Sequence, residues 1–193
     1  MTAEYGMLPA AVPERLRRDG PGRVNSRFAE IRRLIGRTLR AVTDLEALGP
    51  NTFVVDCDVL EADGGTRTAS ITGGWVALAR AADRARKEER LAAQRDPIAD
   101  QVAAISCGLV DGEARLDLCY AEDSAAGVDM TVAMTPRGRI IEIQAAAERA
   151  AFSPADVGRM LRMARIGCKR LAALQVRARQ KGRRKASRSR CEP

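Results

Sequence analysis

Two short stretches of this 193-residue chain hold side chains whose types and spacing could do chemistry. The first is Ala62-Asp63-Gly64-Gly65-Thr66-Arg67-Thr68-Ala69-Ser70-Ile71. It follows an apolar run from Phe53 to Leu60 that reads as a strand, and it opens a helical stretch from Thr68 to about Arg90. A glycine pair lets backbone N–H groups converge with no Cβ in the way, and a helix N-terminus adds partial positive charge. Arg67 brings a planar fork that matches two phosphate oxygens at once. Together these features make a site for a bare phosphate group. A nucleotide-binding P-loop is excluded, because G-x-x-x-x-G-K-[ST] occurs nowhere. A strand-to-helix turn that merely needs glycines reads the same way, so both alternatives stand at this point.

The second stretch is Glu122-Asp123-Ser124-Ala125-Ala126-Gly127-Val128-Asp129-Met130. Asp123 is expected in a loop of small residues and Asp129 at the start of the next strand. A turn between them can bring both carboxylates to one point. Two acids with little else nearby suit a magnesium ion that keeps most of its water. A loop aspartate and a solvent-facing strand aspartate are the ordinary alternative.

The elements that must position these groups follow from periodicity. Residues 9 to 25 mix Pro9, Pro13, Gly20, Pro21 and Gly22 with arginines and read as a mobile basic loop. Ser26 is the expected N-cap of a helix whose apolar residues are Ile31, Leu34, Ile35, Leu39, Val42 and Leu45, ended by Gly49-Pro50. The strand that follows carries Phe53, Val55, Cys57 and Val59 on one face. The next helix carries Ile71, Trp75, Leu78, Ala79 and Ala82. Strands are expected at 102 to 110, 116 to 120, 128 to 135 and 139 to 144, with turns at Asp111-Gly112 and Pro136-Arg137-Gly138. Ser153-Pro154-Ala155-Asp156 starts a last helix with the stripe Val157, Met160, Leu161, Ala164, Cys168 and Leu171. The expected order is helix, strand, helix, four strands, helix: an α/β (α+β) class, a mixed sheet with packed helices, in one domain.

Composition narrows the function classes. Hydrophobic residues make up 46% and charged residues 30%, with only 3% aromatic, so Val, Ile, Leu and Ala must fill the core. No apolar run approaches the ~20 residues that span a bilayer, and no export signal opens the chain. Five dispersed cysteines without a C-x-x-C pair, and no histidine, fit neither a disulfide framework nor a zinc site, which points to the cytoplasm. The net charge of +8 is clustered. Nine arginines lie between Glu14 and Arg40, and eight Lys and Arg follow Val176, where residues 177 to 193 read as a basic, disordered tail beyond a domain of residues 1 to 176. Such clusters point to a polyanion, and for the tail a solvated segment that only aids solubility is the alternative.

Taken in order, Thr2-Ala3-Glu4-Tyr5-Gly6-Met7-Leu8-Pro9, Arg33-Leu34-Ile35-Gly36-Arg37, Asp56-Cys57-Asp58-Val59-Leu60 with Ala62 to Ile71, Asp96-Pro97-Ile98, Ala103-Ala104-Ile105-Ser106 and Glu122 to Met130 resemble the ribonuclease PH family from Thr2 to about Gln175. The resemblance implies a phosphate-dependent 3′-to-5′ exoribonuclease that trims transfer-RNA precursors, runs reversibly as a nucleotidyltransferase, and assembles as a hexameric ring of dimers. By position, Arg27, Gly65, Thr66 and Arg67 match the family's phosphate-binding residues. Asp123 and Asp129 match its acids for general-acid and magnesium work, and Arg15, Arg17 and Arg18 keep the RNA-binding loop basic. A non-catalytic RNA-binding or scaffold relative, or an inactive fragment, is the alternative.

The chain also departs from the family pattern. It lacks the opening strands, and Met1 stands where Val or Ile is usual, so a start within a longer reading frame is expected. Ala145-Ala146-Ala147-Glu148-Arg149 replaces Gly-Thr-Ala-Glu-Gly. If either glycine needed positive φ, its replacement would be strained by ~1–2 kcal/mol. Thr131 stands for the usual Asn, and Ala10 for an arginine.

Overall fold

A computed structural model describes residues 1–15, 25–91, 95–149 and 151–188. Ten elements follow one another: β1 (Thr2–Met7), α1 (Ser26–Arg40), β2 (Val54–Val59), α2 (Thr66–Lys87), β3 (Ala103–Val110), β4 (Glu113–Leu116), α3 (Tyr120–Ala125), β5 (Val128–Met134), β6 (Ile140–Ala147) and α4 (Pro154–Arg188). Parallel and antiparallel pairing both occur, in separate sheets. β1 and β2 pair in parallel, whereas β4-β3-β5-β6 is antiparallel throughout.

Period-2 alternation sorts the antiparallel sheet's two faces. Ile105, Cys107, Met130, Val132 and Met134 point to α4 and meet Met160, Ala164 and Cys168. Ala104 and Ala133 point the other way, into a second core built from Ile31, Leu34, Ile35, Leu39, Ile71, Trp75 and Leu78 of α1 and α2, with Tyr5 and Val55 of the parallel pair. β3 is buried at all eight positions, as a strand covered on both faces must be. α4 is further tied to α2 by Gln175, whose amide donates to the carbonyls of Thr72 and Val102 (both 2.8 Å), and by a bidentate Arg179–Asp83 pair. The outer face of β1–β2 stays open, with Val54 57% and Leu60 71% exposed.

Several expectations are corrected. β1 was absent from the expected order although Ala3, Tyr5 and Met7 alternate with Thr2, Glu4 and Gly6, because so short a run becomes a strand only through its pairing with β2. Asn25, not Ser26, caps α1, its side chain accepting from the N–H groups of Arg27 and Phe28. α2 starts at Thr66, two residues early. The strand expected at 116 to 120 lies instead at Glu113–Leu116. Asp117 takes φ +61 and ends it, and Tyr120–Ala125 is helical because Glu122 reaches back to the Cys119 N–H (3.3 Å) while pairing with Arg115 (2.9 Å). α4 continues past the boundary drawn at 176, to Arg188, and 189–193 lie outside the described residues. Ala145–Ala147 belong to β6 in register with β5, and neither they nor Arg149 has positive φ, so the anticipated strain does not arise.

Candidate functional site

Where the first turns of α1 and α2 meet the α2-side face of the antiparallel sheet, a cavity of about 710 Å³ opens. Arg27 and Phe28 of α1, residues 62–67, Tyr120 and Asp123 of α3, and Ser106, Asp129 and Thr131 of the sheet line it. Both arginines and both acids singled out in the sequence thus share one cleft. Pro13 and Glu14 border it too, bringing the exposed Arg15 alongside; Arg17 and Arg18 lie outside the described residues.

The glycines are needed, each for its own reason. Gly65 is the α2 N-cap at φ +71, a conformation L side chains rarely adopt. At Gly64 a Cβ would fall 2.0 Å from the Leu118 carbonyl oxygen, so only glycine lets this loop lie against the segment entering α3. No side chain caps α2, in contrast to α1. The first N–H groups of a helix have no intrahelical acceptor, so those of α2 remain free to hold an anion at the cavity wall, beside the half-buried Arg67. Thr66 is held in turn: its Oγ1 shares a 2.9 Å hydrogen bond with the hydroxyl of Tyr5, a buried ring packed edge-on to Phe28 at 5.4 Å.

Asp123 lies on α3, not in a loop, and Asp129 is the second residue of β5. Burial, and then the charge of Asp123, hold the Asp129 carboxyl above the usual carboxylate range, while Arg67 partly offsets them. Arg27 and Arg67 both act on the Tyr5 hydroxyl, which burial nonetheless pushes up. Arg67 thus acts both on the Asp129 carboxyl and, with Arg27, on the Tyr5 hydroxyl. Two hard carboxylates facing a roomy cleft fit a magnesium ion that keeps water or phosphate oxygens as its other ligands. Among the described residues no group of three or more His, Cys, Asp or Glu could enclose a metal. No cysteine is among the described residues that line the cavity, and burial pushes the thiols of Cys107 and Cys168 up to about 12 and about 11.

The family models resolve what this cleft belongs to. Residues 1–82 match domain 1 of the 3′ exoribonuclease family, and residues 100–167 match domain 2. The chain belongs to the ribonuclease PH family. It is 52% identical over 179 residues to ribonuclease PH of Cereibacter sphaeroides (strain ATCC 17029), covering 92% of this chain and 75% of that one. Identity to ribonuclease PH of Corynebacterium glutamicum (strain R) is 53% over 179 residues, covering 92% and 72%. The crystal structure of rice Rrp46 shares the fold, with a TM-score of 0.65 at 20% identity, covering 92% of this chain and 73% of that one.

Residues that sequence reasoning missed are those holding the site together. The Asp63 carboxylate accepts from the Tyr120 N–H at 2.6 Å, and the Ser106 hydroxyl accepts from the Leu118 N–H at 3.2 Å. Together with the Gly64 approach, these contacts clasp the phosphate loop to the helix that carries Asp123. For Asp63, the signal was present in the first stretch but drew no notice beside the glycines and Arg67. An Asp63→Ala change is expected to lower kcat about 10-fold, the order expected when a reacting group is misplaced by a fraction of an ångström. Asp63→Asn keeps an acceptor oxygen and should recover most of that loss in a single-turnover assay.

Proposed function

We propose that this cleft shortens RNA from its 3′ end by phosphorolysis, releasing nucleoside diphosphates. The observation that carries the reading is the gathering of Arg27, Arg67, Asp123 and Asp129 around the uncapped start of α2 in one cavity. Inorganic phosphate, gripped by the two arginines and the N–H groups of residues 65–67, attacks the terminal phosphorus in line. A P–O bond forms, the bond to the departing 3′ oxygen breaks, and RNA one residue shorter leaves with a free 3′ hydroxyl. Fixed positive charge orients the attack and stabilises the charge that develops on the phosphoryl oxygens, the two contributions that dominate phosphoryl transfer. Asp129, whose carboxyl holds its proton more tightly than usual, is the group suited to protonate the 3′ oxygen. Asp123 would hold magnesium, joined by Asp129 only in its ionised form after the proton is given up, and the bound ion would offset negative charge on the reacting phosphates. Because one phosphoester replaces another, the same groups run the reverse addition from diphosphates.

Transfer-RNA precursors in the cytoplasm, engaged by Arg15, Arg17 and Arg18, are the proposed substrate, and a hexameric ring of dimers the proposed assembly. No helix among the described residues is long and apolar enough to cross a membrane. Retention of all four charged side chains in one cleft weighs against a non-catalytic scaffold.

The test is incubation with a 3′-extended transfer RNA, with and without phosphate and magnesium. Nucleoside diphosphates released only when phosphate is present support the reading. Monophosphates would mean hydrolysis and overturn it, and RNA retained without release would leave a binding module.

A further inference from the structure

Helix α4 is charged in a way the cleft does not explain. From Val157 to Arg188 it carries twelve Lys and Arg and not one Asp or Glu, although the whole chain has 33 of the former and 25 of the latter. The rest of the protein is therefore net acidic, and its excess positive charge is concentrated on one helix. At 100° per residue, Met160, Ala164, Cys168 and Gln175 form the stripe buried against the sheet and α2. The opposite side presents Arg162, Lys169, Arg170, Ala173 and Arg177, all exposed, around the exposed Ile166, with Leu174 and Val176 also exposed at its flanks.

Some cations of this helix are used internally. Arg159 pairs with Asp156, and Arg179 pairs with Asp83. Arg162, Lys169, Arg170 and Arg177 form no ion pair among the described residues. Arg162, the exposed Arg165 and Lys169 stand three and four residues apart, and like charges at that spacing repel and cost a helix stability. A ridge from Arg162 to Arg177, about 22 Å long at 1.5 Å per residue, thus holds uncompensated charge that a polyanion would relieve.

We propose that this outward face of α4 docks the double-helical body of an RNA, as a second site separate from the catalytic cleft. The cleft accepts a single-stranded 3′ end, so the paired part of a structured RNA must rest elsewhere on the surface. The ridge lies on the far side of the antiparallel sheet from Asp129 and Thr131, because Met160, Ala164 and Cys168 pack on the sheet's other face. A membrane surface is the poorer occupant: amphipathic helices that bind lipid spend their apolar stripe on the bilayer, and α4 has already buried its stripe against protein. A protein partner would have to bring an acidic face matched to four separate cations, whereas a nucleic-acid backbone brings regularly spaced phosphates to any cationic ridge.

The site goes beyond the proposed function, and its test reads binding rather than catalysis. Fluorescence anisotropy with a blunt RNA duplex, which offers the cleft no single-stranded end, is run on the full chain and on Arg162→Gln/Lys169→Gln/Arg170→Gln/Arg177→Gln. The Kd is expected to rise at least 10-fold, and the log Kd against log salt slope to flatten by about three to four, since each lost phosphate contact removes about 0.9. The pair Arg162→Gln/Arg177→Gln should flatten it by about two, which keeps the test sharp should the fourfold variant fold poorly. Phosphate-dependent shortening of a single-stranded oligonucleotide should be unchanged in both. Equal duplex affinity in wild type and variants overturns the proposal. So does duplex affinity that holds while binding to phosphatidylserine vesicles or to polyglutamate falls.

Discussion

Replacing Arg67 by alanine is expected to lower kcat/KM for phosphate about 10³-fold, the low end of what an arginine contributes to phosphoryl transfer, while RNA affinity changes less than about threefold, as loss of one phosphate contact allows. Arg67 sits in the first turn of α2, half-buried in the cavity wall, where water screens its charge poorly. Its effect falls on the attacking group rather than the polymer, so saturation with phosphate and saturation with RNA respond differently. Arg67→Lys keeps the charge but loses the two-pronged fit. It should recover part of the rate, leaving a deficit of about 10-fold or more, about one charge-assisted hydrogen bond's worth. Steady-state rates with phosphate varied at saturating RNA, beside filter binding of the same RNA, make the comparison. A variant that trims at the wild-type rate removes Arg67 from the phosphate site, and one that loses RNA binding in the same proportion makes it a general RNA contact.

How much of this arrangement could be read beforehand depended on whether a feature was local. The glycine pair before α2, the turn glycines Gly112 and Gly138, and the Ser153-Pro154 helix start are each dictated within three or four residues, and all stand where expected. The face of β5 that carries Val128, Met130, Val132 and Met134 was legible because alternation fixes it. Features requiring a partner distant in sequence were not. β1 exists because Glu4 and Tyr5 fall in register with Asp56 and Cys57, more than fifty residues away. The Asp123 helix depends on Arg115 and Glu122 bracketing a reversal at Asp117, and on Asp63 capping from another element. The continuation of α4 past 176 was hidden by composition: Arg and Lys are good helix formers and extend a helix already anchored by Met160 and Cys168. At the cleft, the phosphate side was readable from one stretch of chain, while the clasp joining it to the acids was not.

The second large effect belongs to Asp129. Asp129→Asn is expected to reduce kcat by about 10²- to 10³-fold, the range for loss of a general acid, without lowering stability at neutral pH. The sign follows from its surroundings. Burial, and then the neighbouring Asp123 charge, raise its folded pKa above the unfolded value, so between the two the folded protein binds more protons than the unfolded chain. The stability this group contributes is present at low pH and is lost as pH rises from the ordinary carboxylate range through the raised value. At neutral pH the ionised carboxylate therefore opposes folding, and asparagine removes that opposition while filling the same space. Magnesium reverses the balance, because a divalent cation pays back the repulsion between the two acids. Adding it should raise the wild-type Tm, in proportion to the logarithm of its concentration once above Kd, and should leave Asp129→Asn nearly unmoved. Thermal unfolding of both proteins from pH 4 to pH 8, with and without magnesium, reads the two effects together. A wild-type Tm that climbs with pH across the carboxylate range while Asp129→Asn stays flat would reverse the sign argued for this carboxyl and assign the proton to another group in the cleft.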